Sequence, residues 1–186
     1  AGGIDPLVKL LGSPNGRSSA HADLALVRLS LDGTTRPLIC EKLTSMLADE
    51  RGTAEQEQAA AALANLARES SENRESILKA DGVPRLLRML QSESREAREK
   101  SASAVARLAY KSRENQNAVA RAGGIPMLVS TLTHAASSMK DNIELCTLIA
   151  SCIWHVADGN HDNQTSLMKE GAIPPIVGVL TNPNPP

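Results

Sequence analysis

The phrase Gly82-Val83-Pro84 returns as Gly124-Ile125-Pro126 and, altered, as Gly171-Ala172-Ile173-Pro174. Nineteen residues before each proline lies the centre of a second phrase: Leu63-Ala64-Asn65-Leu66, Val105-Ala106-Arg107-Leu108 and Ile153-Trp154-His155-Val156. The prolines are 42 and 48 residues apart. Two phrases held at one offset do not arise from composition, so the chain is an array of one unit copied several times. Units of this length stack side by side, each covering its neighbour, and present long surfaces to other proteins.

Composition narrows the partners. The chain is 41% apolar and almost wholly aliphatic, with no Phe and only Tyr110 and Trp154 as aromatics. That suits short, tightly packed helices and not a nucleic-acid surface, which stacks bases on rings. A net charge of −1 gives no global field to recruit nucleic acid or anionic membrane. Cys40, Cys146 and Cys152 are odd in number and irregularly spaced, which points to a reducing, cytoplasmic compartment, with the nucleus also open, rather than a disulfide framework. No apolar run is long enough to span a bilayer, and direct membrane insertion is not expected. Ala1-Gly2-Gly3-Ile4 enters directly on a repeat phrase and Val179-Leu180 closes on another. Further repeats or domains are expected in a longer chain, and Leu7, Leu10, Ile176 and Val177 are the apolar residues that neighbouring units would cover.

With the central residue of the second phrase as position zero, the copies align on Arg28, Asn65, Arg107 and His155. Five residues later come Gly33, Ser70, Ser112 and Asn160; Ser and Asn are natural helix N-caps. Eight residues later stand Arg36, Asn73, Asn115 and Asn163, and twelve later the apolar anchors Cys40, Ile77, Val119 and Leu167. Gly82, Gly123 or Gly171 should stop this short helix in a left-handed conformation, and proline opens the next. Thr53-x-x-Gln56 and Asp141-x-x-Glu144 are capping-box patterns for a third, longer helix. The predicted helices lie near 71–80, 84–91, 95–110, 115–121, 126–133, 142–157, 163–169 and 174–180. Pro37 through Leu47 reads as one continuous helix, and the insert His134–Lys140 as a longer surface loop.

A three-helix unit of this length carrying Ala122-Gly123-Gly124-Ile125-Pro126 and Ala62-Leu63-Ala64-Asn65-Leu66-Ala67 resembles the armadillo repeat. The likeness implies an all-α, right-handed α-solenoid over residues 1–181. It divides into a partial repeat 1–31, a shortened repeat 33–69, repeats 70–111 and 112–159, and a partial repeat 160–181, with 182–186 a Pro-rich tail or linker.

Helical rotation sorts the third helix into two faces. Positions −2 and +1 hold Leu26 and Leu29, Leu63 and Leu66, Val105 and Leu108, Ile153 and Val156, the expected core. Positions zero, −4 and −7 share the opposite face: Arg28, Leu24 and His21; Asn65, Ala61 and Gln58; Arg107, Ser103 and Lys100; His155, Ser151 and Leu148. In armadillo proteins this face lines a groove for an extended peptide, and Asn at position zero is the ladder residue; only Asn65 matches it. Importin-α-like receptors carry Trp four residues earlier, where this chain has Leu24, Ala61, Ser103 and Ser151, so its groove is not of that kind. Its cations are closer to β-catenin-like grooves, which favour acidic segments. The resemblance thus implies a partner-binding groove of Arg28, Asn65, Lys100, Ser103, Arg107, Ser151 and His155; the blander alternative is a solvated helix surface.

Other signals weigh less. Cys152 and His155 share a helix face, but neither Cys146 nor His161 is spaced to complete a zinc site. No catalytic constellation, phosphate loop or cofactor motif stands out, and Asn163-Gln164-Thr165 is a chance sequon. Trp154 at position −1 reads as a wedge between units rather than a ligand contact. The expected function is a non-enzymatic adaptor or scaffold holding an extended, acidic or phosphorylated partner segment, without cofactor, metal, small-molecule substrate or nucleic acid. An arm delivering substrates within a larger U-box-type ubiquitin ligase is the alternative.

Overall fold

The computed structural model describes residues 2–48 and 53–181, Thr53 and Met139 by backbone only. The tail 182–186 lies outside the described residues. Within them the chain is all helix, with no strand: α1 (Ile4–Leu11), α2 (Gly16–Leu29), α3 (Arg36–Ser45), α4 (Thr53–Glu69), α5 (Ser71–Lys79), α6 (Gly82–Met89), α7 (Arg95–Ala109), α8 (Arg113–Arg121), α9 (Gly124–Ser137), α10 (Met139–Ala157), α11 (His161–Lys169) and α12 (Ile173–Leu180). Two full three-helix units, α5–α7 and α8–α10, sit at the centre. The long third helices α4, α7 and α10 pack side by side.

Small residues set that contact. Ala59, Ala60, Ala62, Ala64 and Ala67 on α4 and Ala97, Ala102, Ala104, Ala106 and Ala109 on α7 are all buried, so neighbouring backbones can approach closely. Leu63, Leu66, Leu86, Leu87, Leu90, Leu108 and Leu128 fill the space between the layers, each almost fully buried. Burying one such side chain is worth about 1.5–3 kcal/mol. The anchors Cys40, Ile77, Val119 and Leu167 are buried in every copy, as the repeat alignment requires.

The polar offsets are structural. Ser70, Ser112 and Asn160 cap α5, α8 and α11 by accepting from the amides of Asn73, Asn115 and Asn163. Those three Asn residues are themselves buried. Each turns its amide back onto the end of the preceding long helix: Asn73 Nδ2 donates to Leu66 O at 3.0 Å, Asn115 to Leu108 O at 2.9 Å and Asn163 to Val156 O at 3.0 Å. In the copy that carries Arg36 instead, its guanidinium donates to Ser30 O and Leu31 O at 2.9 and 3.1 Å. A different side chain thus closes the same helix end.

Several expectations need correction. The insert His134–Lys140 is not a loop: α9 runs to Ser137 and α10 starts at Met139. Ala135 is buried in the core, which holds the extra helical turn down. The helix then kinks at Asn142 (φ −125°, ψ 21°), whose Nδ2 donates to Ser138 O at 3.0 Å; a short amide competing for a backbone acceptor bends the helix here. Gly82 is not the left-handed stop of its copy. Asp81 takes that conformation (φ 60°), in register with Gly123 (φ 75°) and Gly171 (φ 76°). Gly82 serves close approach instead, since a Cβ there would lie 2.6 Å from Ile77 Cγ2. Leu29 is not core but 39% exposed, because α2 rests mainly on α1 and only lightly on α4.

Candidate functional site

Position zero marks a row. On α4, α7 and α10 the residues at zero, −4 and −7 are all half-buried: Asn65, Ala61 and Gln58; Arg107, Ser103 and Lys100; His155, Ser151 and Leu148. They flank fully buried partners on the same helices, so this face is turned along the surface between the long helices. A cavity of ≈ 310 Å³ opens there, lined by Ala67, Arg68, Ser103, Ala106, Arg107, Tyr110, Leu148, Ser151 and His155. Ser103, Arg107, Ser151 and His155, four residues expected from the sequence, therefore line one concavity. Lys100 lies two helical turns from Arg107 on the same face of α7, 3.8 Å from Glu96 Oε1.

Arg107 is the electrostatic centre. Burial and the neighbouring Arg68 charge hold its guanidinium below the ordinary arginine value. Its one hydrogen bond is a long 3.4 Å contact from Nε to Ser103 Oγ, and neither it nor Arg68 has an ion-pair partner among the described residues. Arg107, half-buried and short of a carboxylate, beside the exposed Arg68 guanidinium whose charge also acts on Asp23, makes a site that attracts an anion able to accept paired hydrogen bonds.

His155 forms the other wall. Tyr110 meets its ring edge-on, centroids 5.3 Å apart at 85°, and Trp154 lies over it at 4.5 Å and 31°. Burial lowers the imidazole pKa, against the pull of Asp158, and Nδ1 is buried without a partner. Trp154 is not a wedge: it is 63% exposed, where its counterparts Ala64 and Ala106 are buried. A ring of that size does not fit the narrow helix contact those alanines make, and it stacks on His155 instead.

Arg28 stands apart, exposed on α2 and outside the row. The residue of α2 that reaches the row is Asp23, whose Oδ2 accepts from Asn65 Nδ2 at 2.7 Å. Burial raises the Asp23 carboxyl, opposed by that bond and by Arg68, and its Oδ1 is buried without a partner. Three participants were missed from the sequence: Asp23, Arg68 and Tyr110. Signals for them existed. Asp23 precedes Asn65 by 42 residues, the spacing that separates Asn65 from Arg107. Arg68 and Tyr110 both stand one helical turn beyond position zero, on the same face.

The sulfur and sequon signals are structural. Cys152 is buried and donates to Ala102 O at 2.9 Å. Among the described residues no group of three or more His, Cys, Asp and Glu could hold a metal ion, and no helix is long and apolar enough to cross a membrane. Asn163 of the sequon is buried with its amide committed to backbone carbonyls.

Residues 70–110 match the sequence model of the Armadillo/beta-catenin-like repeat. A designed armadillo repeat protein in complex with the peptide (KR)4 superposes over 98% of this chain and 76% of its own, at 22% identity and a TM-score of 0.76. The chain has the armadillo-type solenoid fold. An engineered protein matches 97% of it and 73% of its own length at 27% identity (TM-score 0.77). A structure concerned with a phosphorylation switch in the cadherin–beta-catenin interaction covers 97% of it at 20% identity and a TM-score of 0.71, this chain spanning 34% of that one. No curated protein matches the sequence. The armadillo fold is typically a non-enzymatic scaffold for binding other proteins.

Proposed function

We propose that the groove across α4, α7 and α10 holds an extended acidic or phosphorylated segment of a partner protein, and that the chain acts as an adaptor or scaffold through it. The carrying observation is Arg107: half-buried at the centre of the row, short of any carboxylate among the described residues, and next to the Arg68 guanidinium. Lys100, Arg68 and Arg107 place three cations along the row over two units, set against Asp23 beside Asn65 and Glu96 beside Lys100. Asn65 supports the reading differently. Its Nδ2 is committed to Asp23, which leaves the carbonyl oxygen to accept from a peptide N–H. Rigid helices hold these groups in place, so a bound segment loses entropy without the receptor also having to order. The peptide complex of the designed relative is of the same kind, although that peptide is basic; the guanidinium groups of this cleft favour the opposite charge.

Calorimetric titration with a synthetic Asp/Glu-rich extended peptide tests the reading. The expectation is binding that weakens with added salt and is lost in the folded Asn65→Ala, Arg107→Ala double variant. Wild-type affinity in that variant overturns it.

A further inference from the structure

The cavity between α7 and α10 is chemically divided. One end is cationic, formed by Arg68 and Arg107; the other is apolar, formed by Tyr110, Leu148 and His155. Resting on the groove reading above, we infer that this cavity is a two-part seat for a phosphoryl or carboxylate group on one side chain and an apolar side chain two residues along the same extended segment.

The apolar half rests on separate observations. The chain contains two aromatic residues, and both meet at His155. Each is exposed to solvent, Tyr110 by 41% and Trp154 by 63%. Exposed, rigid rings of this kind are the residues that carry interface energy. Trp154 also stands where the neighbouring copies hold buried alanine, so its exposure is a feature of this copy and not of the repeat. The Lys111 ammonium sits 5.2 Å from the Tyr110 ring centroid and the Asp158 charge acts on His155, so this end carries charges of both signs and its grip rests on the rings.

The spacing follows from geometry. Arg107 and Tyr110 are one helical turn apart on α7, about 5 Å along its axis. Arg107 and His155 lie on neighbouring helices, whose axes typically pack about 8–10 Å apart. In an extended segment, alternate side chains point to the same side and lie about 6.6–6.8 Å apart. That distance falls between the two. A neighbour one residue along would point away from the floor, so the inferred seat takes the apolar group two residues from the anion.

Fluorescence anisotropy with short labelled Gly/Ser peptides tests the inference. One peptide carries phosphoserine and, two residues later, leucine. Companions move the leucine next to the phosphoserine, replace it by glycine, or replace phosphoserine by serine or glutamate. The expected result is at least about a fivefold loss of affinity when the leucine is moved or removed, and about a tenfold loss when phosphoserine becomes serine. Trp154→Ala and Tyr110→Ala should each shrink the leucine effect and leave the phosphoserine effect, while Arg107→Gln should do the reverse. Glutamate binding as well as phosphoserine assigns the anion as a carboxylate; a clear phosphoserine preference assigns it as a phosphoryl group. Leucine position without effect, or a phosphoserine-to-serine ratio unchanged in folded Arg107→Gln, overturns the seat. In that case, Asp/Glu-rich peptide binding that still depends on Asn65 and Arg107 leaves the broader groove reading standing.

Discussion

Replacing Asn115 by Ala should destabilise the array by about 1–3 kcal/mol, the cost of leaving one buried polar group unpaired. The side chain is 1% exposed, and its Nδ2 is the side-chain donor to Leu108 O at 2.9 Å. Truncation strands that carbonyl at the end of α7, where no further turn supplies an amide. Asn73→Ala should fall in the same range, because its amide also reaches Ser30 Oγ at 2.9 Å on the neighbouring unit but its Oδ1 is buried without a partner. Arg36→Ala should cost less, because one of the two carbonyls it serves, Leu31 O, lies on an exposed residue where water can replace the guanidinium, although Ser30 is buried. Urea unfolding followed by circular dichroism gives the three values from midpoints at a common slope. A fallen slope would itself report decoupling of units, as expected of an array held by nearest-neighbour contacts. An Asn115→Ala change within about 0.5 kcal/mol of wild type, or Arg36→Ala costing more than Asn73→Ala, refutes the helix-closing role.

Gly124→Ala should cost about 1–3 kcal/mol by overpacking, since its Cβ would lie 2.6 Å from Val119 Cγ1 and 2.7 Å from Val119 O; Gly123→Ala meets open space and should cost about 1–2 kcal/mol through its positive φ alone, both read by thermal unfolding. His155 has a folded pKa depressed by burial, so its contribution to stability is present above the unfolded value, near 6.5, and is lost as pH falls through that value towards the folded one; His155→Gln should flatten the urea midpoint against pH across this window. Burial pushes the Cys40 and Cys152 thiols up to about 12, so in native protein both should resist a thiol reagent at pH 8 and react only on unfolding.

The repeat was legible because each copy spells the same local chemistry: an N-cap at Ser70, Ser112 or Asn160, a buried anchor, a glycine-containing stop and a proline start. The helices of the central units follow from those signals to within a few residues. What escaped depended on neighbours. Asp23 enters the row through its contact with Asn65, and the aliphatic phrase around Arg28 drew the alignment five residues away from it. The turn added to α9 is fixed by the burial of Ala135, which small polar residues around it do not announce. Trp154 looked like a wedge because buried tryptophans usually pack, and its freedom comes from the narrowness of the alanine-lined contact its counterparts make. Arg68 and Tyr110 were readable in principle, one turn past position zero.

The central claim is that an extended acidic segment lies across α4, α7 and α10. Titrating the isotopically labelled protein with an Asp/Glu-rich peptide and mapping backbone amide shifts tests it directly. The account predicts shifts concentrated at Asn65, Ser103, Arg107, Ser151 and His155, with α5, α8 and α11 unaffected. Shifts concentrated on those short helices, or none along the row at saturating peptide, would contradict it.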